Sequence, residues 1–247
     1  MINDAAYTSH LHPAPSDGAV PLVYRAFAPA AGADEKHPLV IVLHGYGERG
    51  SDNRRQFINM PVWWAEPEFQ AKYPCHLLFP QCPDTLTTAG DPVCWTVKPV
   101  PDWSHPHFTK EPSPAMATLL DLVAATLRDT PSADPARVYV TGISMGGLGT
   151  LDLCARMPDV IAAAAPVCGA ADTATVPLIR HIPLWFFHGA DDLAVSADCS
   201  RRMVNALREA GATPGHTEYP PGWGHASWIP AYRDTALPEW LFRQRRA

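Results

Sequence analysis

Short apolar runs alternate with amphipathic segments along most of this chain. Leu39 to Leu43 is apolar at every position, which is typical of a parallel strand covered on both faces. Val20 to Phe27 predicts an earlier, antiparallel strand at the edge of the sheet. Similar short runs predict further strands over residues 76–79, 138–140, 162–167, 182–187 and 216–219.

Apolar residues recur at helical spacing between these runs. Residues 116–127 carry one such stripe, and residues 199–210 carry another, with Ser196 as its predicted N-cap and Gly211 as its predicted stop. Further helices are predicted over residues 147–156 and 237–241. This alternation predicts an α/β fold, with a mostly parallel central sheet and helices on both faces.

The length of 247 residues fits a single domain spanning residues 1–247. Residues 81–114 are rich in proline, contain Trp95 and Trp103, and show no clear period. A loop of this length inside a compact domain is usually functional or mobile. We therefore predict one domain with a Pro/Trp-rich loop insertion at about 81–114.

The net charge of −6 argues against a nucleic-acid partner, because the one cluster of basic residues is the short tail at 243–246. The longest apolar stretch, residues 160–171, is too short to span a bilayer and contains proline and glycine. The first residues, Met1 to Asp4, lack the basic start and apolar core of a signal peptide. We therefore expect a cytoplasmic location and no membrane partner, unless a signal was removed.

The six cysteines show no metal-binding spacing. Neither a metal nor a cofactor is predicted, because the candidate chemistry of the chain, a serine nucleophile with a base and an acid, needs none. Cys154 and Cys168 lie in apolar segments and are expected to be small core residues. A disulfide between Cys82 and Cys94 is conceivable, although the cytoplasmic prediction disfavours it.

The segment Gly142-Ile143-Ser144-Met145-Gly146 reads G-x-S-x-G, directly after a strand-like run and before a segment that can begin a helix. On such a turn the serine hydroxyl projects from the backbone at a helix N-terminus, where negative charge is stabilised. Ser144 is therefore the predicted nucleophile. The alternative is an ordinary serine in a glycine-rich loop.

A serine nucleophile needs a base, and the base needs an acid that orients it. His225 follows a glycine-rich turn beyond the last predicted strand and is the predicted base. Asp191 and Asp192 both follow the strand that ends near Phe187, and their spacing alone leaves both open as the acid. Asp192 is favoured because Asp191 is the better turn-capping residue. His188 is expected to be structural.

Two backbone N–H groups are needed to stabilise an oxyanion. Met145 N–H directly follows the nucleophile, and Tyr46 N–H lies in a glycine-rich loop after the first central strand. Two roles are open for Arg49 and the neighbouring charged residues that follow this loop. They form an ion-pair network that holds the loop, or Arg49 recognises a polar or carboxylate group of the substrate.

The chain resembles the esterase branch of the α/β-hydrolases often labelled predicted peptidases or phospholipase/carboxylesterases. It is also similar to feruloyl-esterase and polyhydroxybutyrate-depolymerase-like groups. The resemblance runs from about Pro38 to the C-terminus and is carried by residues 43–53, 80–82, 137–147, 187–192 and 224–228.

The resemblance implies the α/β-hydrolase fold and a triad of Ser144, Asp192 and His225. The choice of Asp192 follows from the H-G-x-x-D spacing of that family. The resemblance also favours Tyr46 and Met145 as oxyanion donors. The family often has proline after the acid, where this chain has Leu193.

These motifs predict a serine carboxylic-ester hydrolase that forms an acyl-enzyme with a small or aromatic ester, cinnamoyl-type esters included. One alternative is a serine peptidase or polyester depolymerase with the same triad. Another is a non-catalytic binding protein on a hydrolase scaffold. The low-ranked candidates for substrate contact are Gln81, Trp95, Trp103 and Trp223, whereas Trp63, Trp64 and Trp185 are expected in the core.

Overall fold

The computed structural model describes residues 4–30, 35–97 and 102–246. Residues 98–101 of the predicted loop insertion lie outside the described residues. So do residues 1–3, on which the prediction about a signal peptide depends.

One eight-stranded sheet runs through the described residues. Its strands are β1 (Thr8–His12), β2 (Leu22–Phe27), β3 (His37–Leu43), β4 (His76–Gln81), β5 (Ala133–Ile143), β6 (Ile161–Val167), β7 (Trp185–Gly189) and β8 (Gly215–Tyr219). They are ordered β1-β2-β4-β3-β5-β6-β7-β8. β2 is antiparallel to β1 and to β4, and every later pair from β4 to β8 is parallel. The predicted mostly parallel sheet is confirmed.

The edge of the sheet differs from the prediction. β2 is antiparallel as expected, but β1 pairs with it and is itself the edge strand. β1 has the sequence Thr-Ser-His-Leu-His and is mostly exposed, so it lacks the apolar run from which the other strands were predicted. The strand predicted over 182–187 also begins later, at Trp185, while Leu184 makes an isolated parallel bridge to Ala164.

The helices in the described residues are α1 (Pro67–Lys72), α2 (Pro114–Asp129), α3 (Met145–Arg156), α4 (Val176–Ile179), α5 (Asp198–Glu209), α6 (Trp228–Arg233) and α7 (Ala236–Leu241). α2 begins at a proline, and its N-cap Ser113 accepts a hydrogen bond from Met116 N–H at 3.1 Å. The N-cap of α5 is Ala197 rather than the predicted Ser196, whose hydroxyl instead accepts from Asp198 N–H at 3.3 Å.

Apolar side chains cover both faces of the sheet. Successive side chains of a strand point to opposite faces, and in β3 Leu39 and Ile41 join one core cluster while Val40 and Val42 join the other. The first cluster includes residues of α2, α3 and α5, and the second includes residues of α6 and α7. Helices therefore pack on both faces, as predicted. Among the described residues, no helix combines the length and apolar character needed to cross a bilayer.

The Cys82–Cys94 disulfide, which the cytoplasmic prediction disfavoured, is not formed. All six cysteines lie in the described part of the chain as buried thiols. Cys82 donates to the carbonyl oxygen of Val93 at 3.6 Å, so it packs as a core thiol.

The neighbouring tryptophans Trp63 and Trp64 differ in burial. Trp64 is 1% exposed and stacks on Phe69 with ring centroids 5.2 Å apart, as expected for a core residue. Trp63 is 37% exposed, which corrects its predicted place in the core. The two lie in one 3-10 turn, Val62–Ala65, which sends successive side chains in different directions.

This difference gives a stability test with a built-in control. We expect Trp64→Ala to lower the free energy of unfolding by about 3–5 kcal/mol, because it removes a large buried ring. Trp63→Ala should cost much less. Urea unfolding of the two variants and the wild type measures both changes, and equal losses would contradict this packing.

Candidate active site

Ser144 lies between the last residue of β5 and the first residue of α3. Its backbone φ is 53° and its ψ is −121°, a conformation that non-glycine residues rarely adopt. The turn is held on both sides, because Ser144 N–H donates to Val167 O and Leu148 N–H donates to Ser144 O, each at 3.0 Å. The side chain remains partly exposed at the carboxyl edge of the sheet.

The glycines of the G-x-S-x-G motif allow a close backbone approach. A Cβ atom on Gly142 would lie 2.6 Å from the carbonyl oxygen of Leu43, and one on Gly146 would overlap the same oxygen. Gly147 makes a similar approach to Val167 O. Any larger side chain would push α3 away from β3 and β6, so these positions require glycine.

Ser144, His225 and Asp192 lie in one hydrogen-bonded line. His225 Nε2 is 2.8 Å from Ser144 Oγ, and His225 Nδ1 is 2.7 Å from Asp192 Oδ2. A carboxylate only accepts, so Nδ1 carries the proton and Nε2 can accept from the serine hydroxyl. This arrangement lets the imidazole remove a proton from Ser144.

Asp192 is fully buried and heavily hydrogen-bonded. Its Oδ1 accepts from Ala194 N–H at 2.9 Å and from Val195 N–H at 3.0 Å. Burial by itself would raise the pKa of Asp192, but hydrogen bonds from His188, His225 and Val195 N–H hold that pKa well below its usual range. The carboxylate therefore stays charged opposite the imidazole.

His188 is buried and supports this carboxylate. Its Nε2 lies 2.9 Å from Val195 O and 3.3 Å from Asp192 Oδ2, while its Nδ1 lies 2.7 Å from Ser200 Oγ. The sequence suggested a structural histidine but did not indicate contact with Asp192. Their four-residue spacing in H-G-x-x-D is the signal that could have suggested it.

Asp191 makes different contacts from its neighbour. Its two oxygens accept from Gly222 N–H at 2.7 Å and Gly224 N–H at 2.8 Å. It therefore caps the loop before His225 and does not bond to the imidazole, which separates the two aspartates that spacing alone left open.

The loop after β3 brings Tyr46 beside Ser144. A Cβ atom on the preceding Gly45 would be 3.6 Å from Ser144 Cβ, so this loop lies against the nucleophile. The N–H groups of Tyr46 and Met145 donate to no other residue in the part of the chain that the structure describes.

His44 fastens this loop from inside the protein. Its Nε2 accepts from Cys82 N–H at 2.9 Å, so its Nδ1 carries the proton and donates to Gly45 O at 2.6 Å. Burial lowers the pKa of His44 to about 4, and the ring is therefore neutral at physiological pH.

Two of the four predicted substrate contacts hold the same loop instead. Trp95 is completely buried, and its indole N–H donates to His44 O at 3.1 Å. Gln81 is also completely buried. Its Oε1 accepts from Asn53 N–H at 2.7 Å, and its Nε2 donates to Asp52 Oδ1 at 2.9 Å. Because neither side chain reaches the surface, both assignments as substrate contacts are corrected to loop support.

Arg49 stacks on Tyr46 with its guanidinium carbon 3.7 Å from the ring centroid. It donates to the carbonyl oxygens of Tyr46 at 3.2 Å and of Val93 at 3.0 Å. Arg49 thus holds the loop through carbonyl oxygens, while the ion pair of this segment joins Arg55 Nε to Asp52 Oδ2 at 3.4 Å. Glu48 accepts from Asn59 at 3.2 Å, and burial raises its pKa.

Two predicted aromatic residues remain accessible near the site. Trp223 is 40% exposed, two residues before His225. Trp103 is partly exposed and makes an edge contact with the Tyr46 ring at 5.6 Å between centroids. Tyr46 is itself 38% exposed.

Cys168, Asp192 and His225 have donor atoms within 4.8 Å of one another. Burial raises the pKa of the Cys168 thiol above its ordinary range, which keeps the sulfur neutral and a poor metal ligand. Asp192 and His225 already bond to each other. These residues therefore do not fit a metal site.

The strand order, the turn at Ser144 and the neighbouring loops define an α/β-hydrolase. Residues 26–234 match the family model described as phospholipase/carboxylesterase. The chain belongs to this family of hydrolases.

Three further comparisons show which known proteins the chain is similar to. A thermostable esterase of known structure is 35% identical, with a TM-score of 0.84, over 98% of this chain and 64% of that one. An acylaminoacyl peptidase from Pyrococcus horikoshii shares the fold at 16% identity, with a TM-score of 0.66, over 97% of this chain and 42% of that one. A poly(3-hydroxyalkanoate) depolymerase C from Paucimonas lemoignei is 55% identical over 38 residues, which are 15% of this chain and 9% of the depolymerase. The chain thus spans less than two thirds of each of these proteins.

The depressed pKa of His44 predicts a pH-dependent stability. In the unfolded chain a histidine titrates near pH 6.5, so between about pH 6.5 and 4 the unfolded state binds the additional proton. His44 should therefore make the free energy of unfolding fall with decreasing pH, by up to about 1.4 kcal/mol per pH unit. Urea unfolding from pH 7 to 4 should show a shallower slope for His44→Gln than for the wild type. Identical slopes would contradict a neutral buried His44.

Proposed function

We propose that this chain is a serine carboxylic-ester hydrolase that acts through an acyl-enzyme intermediate. The observation that carries the proposal is the line of two hydrogen bonds from Ser144 Oγ through His225 to Asp192. The N–H groups of Tyr46 and Met145, which have no other acceptor among the described residues, support it as an oxyanion site.

In the proposed first step, His225 Nε2 accepts the Ser144 proton while Oγ attacks the ester carbonyl carbon. The carbonyl oxygen becomes negative and accepts from the two N–H groups. His225 then donates the proton to the departing alcohol, which leaves an ester on Ser144. A water molecule, deprotonated by His225, releases the acid and restores the serine. Asp192 keeps the proton on His225 Nδ1 and stabilises the imidazolium throughout.

Small or aromatic esters are the proposed substrates, cinnamoyl-type esters included. Three rings support this choice, because Tyr46 lies in the loop that packs against Ser144, Trp103 contacts the Tyr46 ring, and Trp223 lies two residues before His225. Family membership supports an ester as the small-molecule substrate. A cytoplasmic location stays a prediction from the sequence.

A polyester depolymerase is the second candidate, favoured by the match of 38 residues to a poly(3-hydroxyalkanoate) depolymerase. Clearing of a poly(3-hydroxybutyrate) suspension, compared with hydrolysis of p-nitrophenyl acetate and of methyl ferulate, separates the candidates. An amide substrate in the same panel tests the peptidase alternative. The likeness to the acylaminoacyl peptidase supports a shared fold and gives no support for peptidase activity.

We expect Ser144→Ala to lower kcat for p-nitrophenyl acetate by at least about 10³-fold, because the nucleophile is removed. Ser9→Ala, on the exposed edge strand β1, is the matched control and should keep the wild-type rate. A fluorophosphonate probe should label the wild type and the control at Ser144. Equal rates in wild type and Ser144→Ala, with no labelling, would favour a non-catalytic binding protein.

A further inference from the structure

We propose that Asp191 is a positioning residue that holds the backbone of the His225 loop, so that the imidazole meets Ser144. The inference rests on the proposed function, and it adds a fourth side chain to the residues on which that function depends. Asp191 acts through the loop and touches neither Ser144 nor the imidazole.

The loop before His225 presents two N–H groups to one carboxylate. Residues 220 and 221 are prolines, which have no N–H to donate. Gly222 and Gly224 hold φ values of 114° and 49°, which larger side chains would adopt only under strain. Their N–H groups meet the two oxygens of Asp191 at 2.7 and 2.8 Å. The glycines thus shape the loop around this anion, much as backbone nests bind anions.

The turn that contains Asp191 and Asp192 holds both the backbone and the ring of His225. Asp191 bonds the backbone that leads to the histidine, and Asp192 bonds its ring. The end of β7 also contacts the loop, because a Cβ atom on Gly189 would overlap the carbonyl oxygen of Gly224. A movement of the loop relative to β7 would therefore change the distance between His225 Nε2 and Ser144.

The bonds of Asp191 are charge-assisted and lie at the exposed side of the turn. The N–H groups of Gly222 and Gly224 hold the pKa of the Asp191 carboxyl below its usual range, so that it stays ionised at neutral pH. Replacement by asparagine keeps the size but leaves one N–H without an acceptor. Replacement by alanine removes both acceptors.

Three variants test the proposal. We expect Asp191→Asn to lower kcat for p-nitrophenyl acetate about tenfold and Asp191→Ala about a hundredfold, because small displacements of a catalytic group have effects of this size. KM should change by less than about twofold, because Asp191 does not touch the substrate. Asp234→Asn is the control, since among the described residues Asp234 Oδ1 accepts only from Ala236 N–H at 2.9 Å, a bond that asparagine can keep, and kcat should stay at the wild-type value.

A readout without substrate separates this proposal from the proposed function. The downfield proton signal of His225 Nδ1–H in the NMR spectrum reports its bond to Asp192. It should be present in the wild type and Asp234→Asn, and shifted or broadened in both Asp191 variants at temperatures far below unfolding. If the wild type hydrolyses no ester, the proposed function fails, whereas this signal still decides the role of Asp191. Either an unchanged signal or an unchanged kcat in Asp191→Ala would overturn the positioning role.

Discussion

Ser144 adopts a backbone conformation with φ of 53° at the junction of β5 and α3, and the geometry of the site depends on that junction. The conformation is unfavourable by itself and persists because neighbouring backbone encloses it. Gly142 and Gly146 let α3 approach the end of β3 so closely that a single added carbon would meet Leu43 O. This close backbone packing therefore fixes the hydroxyl at one place on the sheet edge, next to the loops that carry Tyr46 and His225.

Buried polar side chains keep these other loops in place. His44, Gln81 and Trp95 fasten the loop that carries Tyr46, and each donates to or accepts from backbone atoms. His188 holds the loop that carries Asp192 in a similar way, through its contacts with Asp192 and with Val195 O. Such groups are costly to bury unless they are satisfied, so they favour one loop conformation over alternatives.

Much of the fold was predictable because its main signals are local. The apolar run 39–43 and the helical stripe of residues 116–127 correspond to β3 and α2. Polar β1 gave no such signal, because an edge strand exposes its side chains and needs no apolar pattern. The N-cap of α5 also differed by one residue, since the adjacent Ser196 bonds the helix from outside.

The sequence by itself determined the alternation of central strands with helices, the glycine-flanked serine and the candidate acid and base, because each of these signals lies within a short stretch of neighbouring residues. Tertiary structure decided which aspartate bonds the imidazole and which bonds the loop, since only folding brings Gly222 and Gly224 to Asp191. It also decided that Gln81 and Trp95 lie inside the protein and Trp223 outside. Contacts between residues far apart in the chain depend on how strands pack side by side, and no local pattern records that packing.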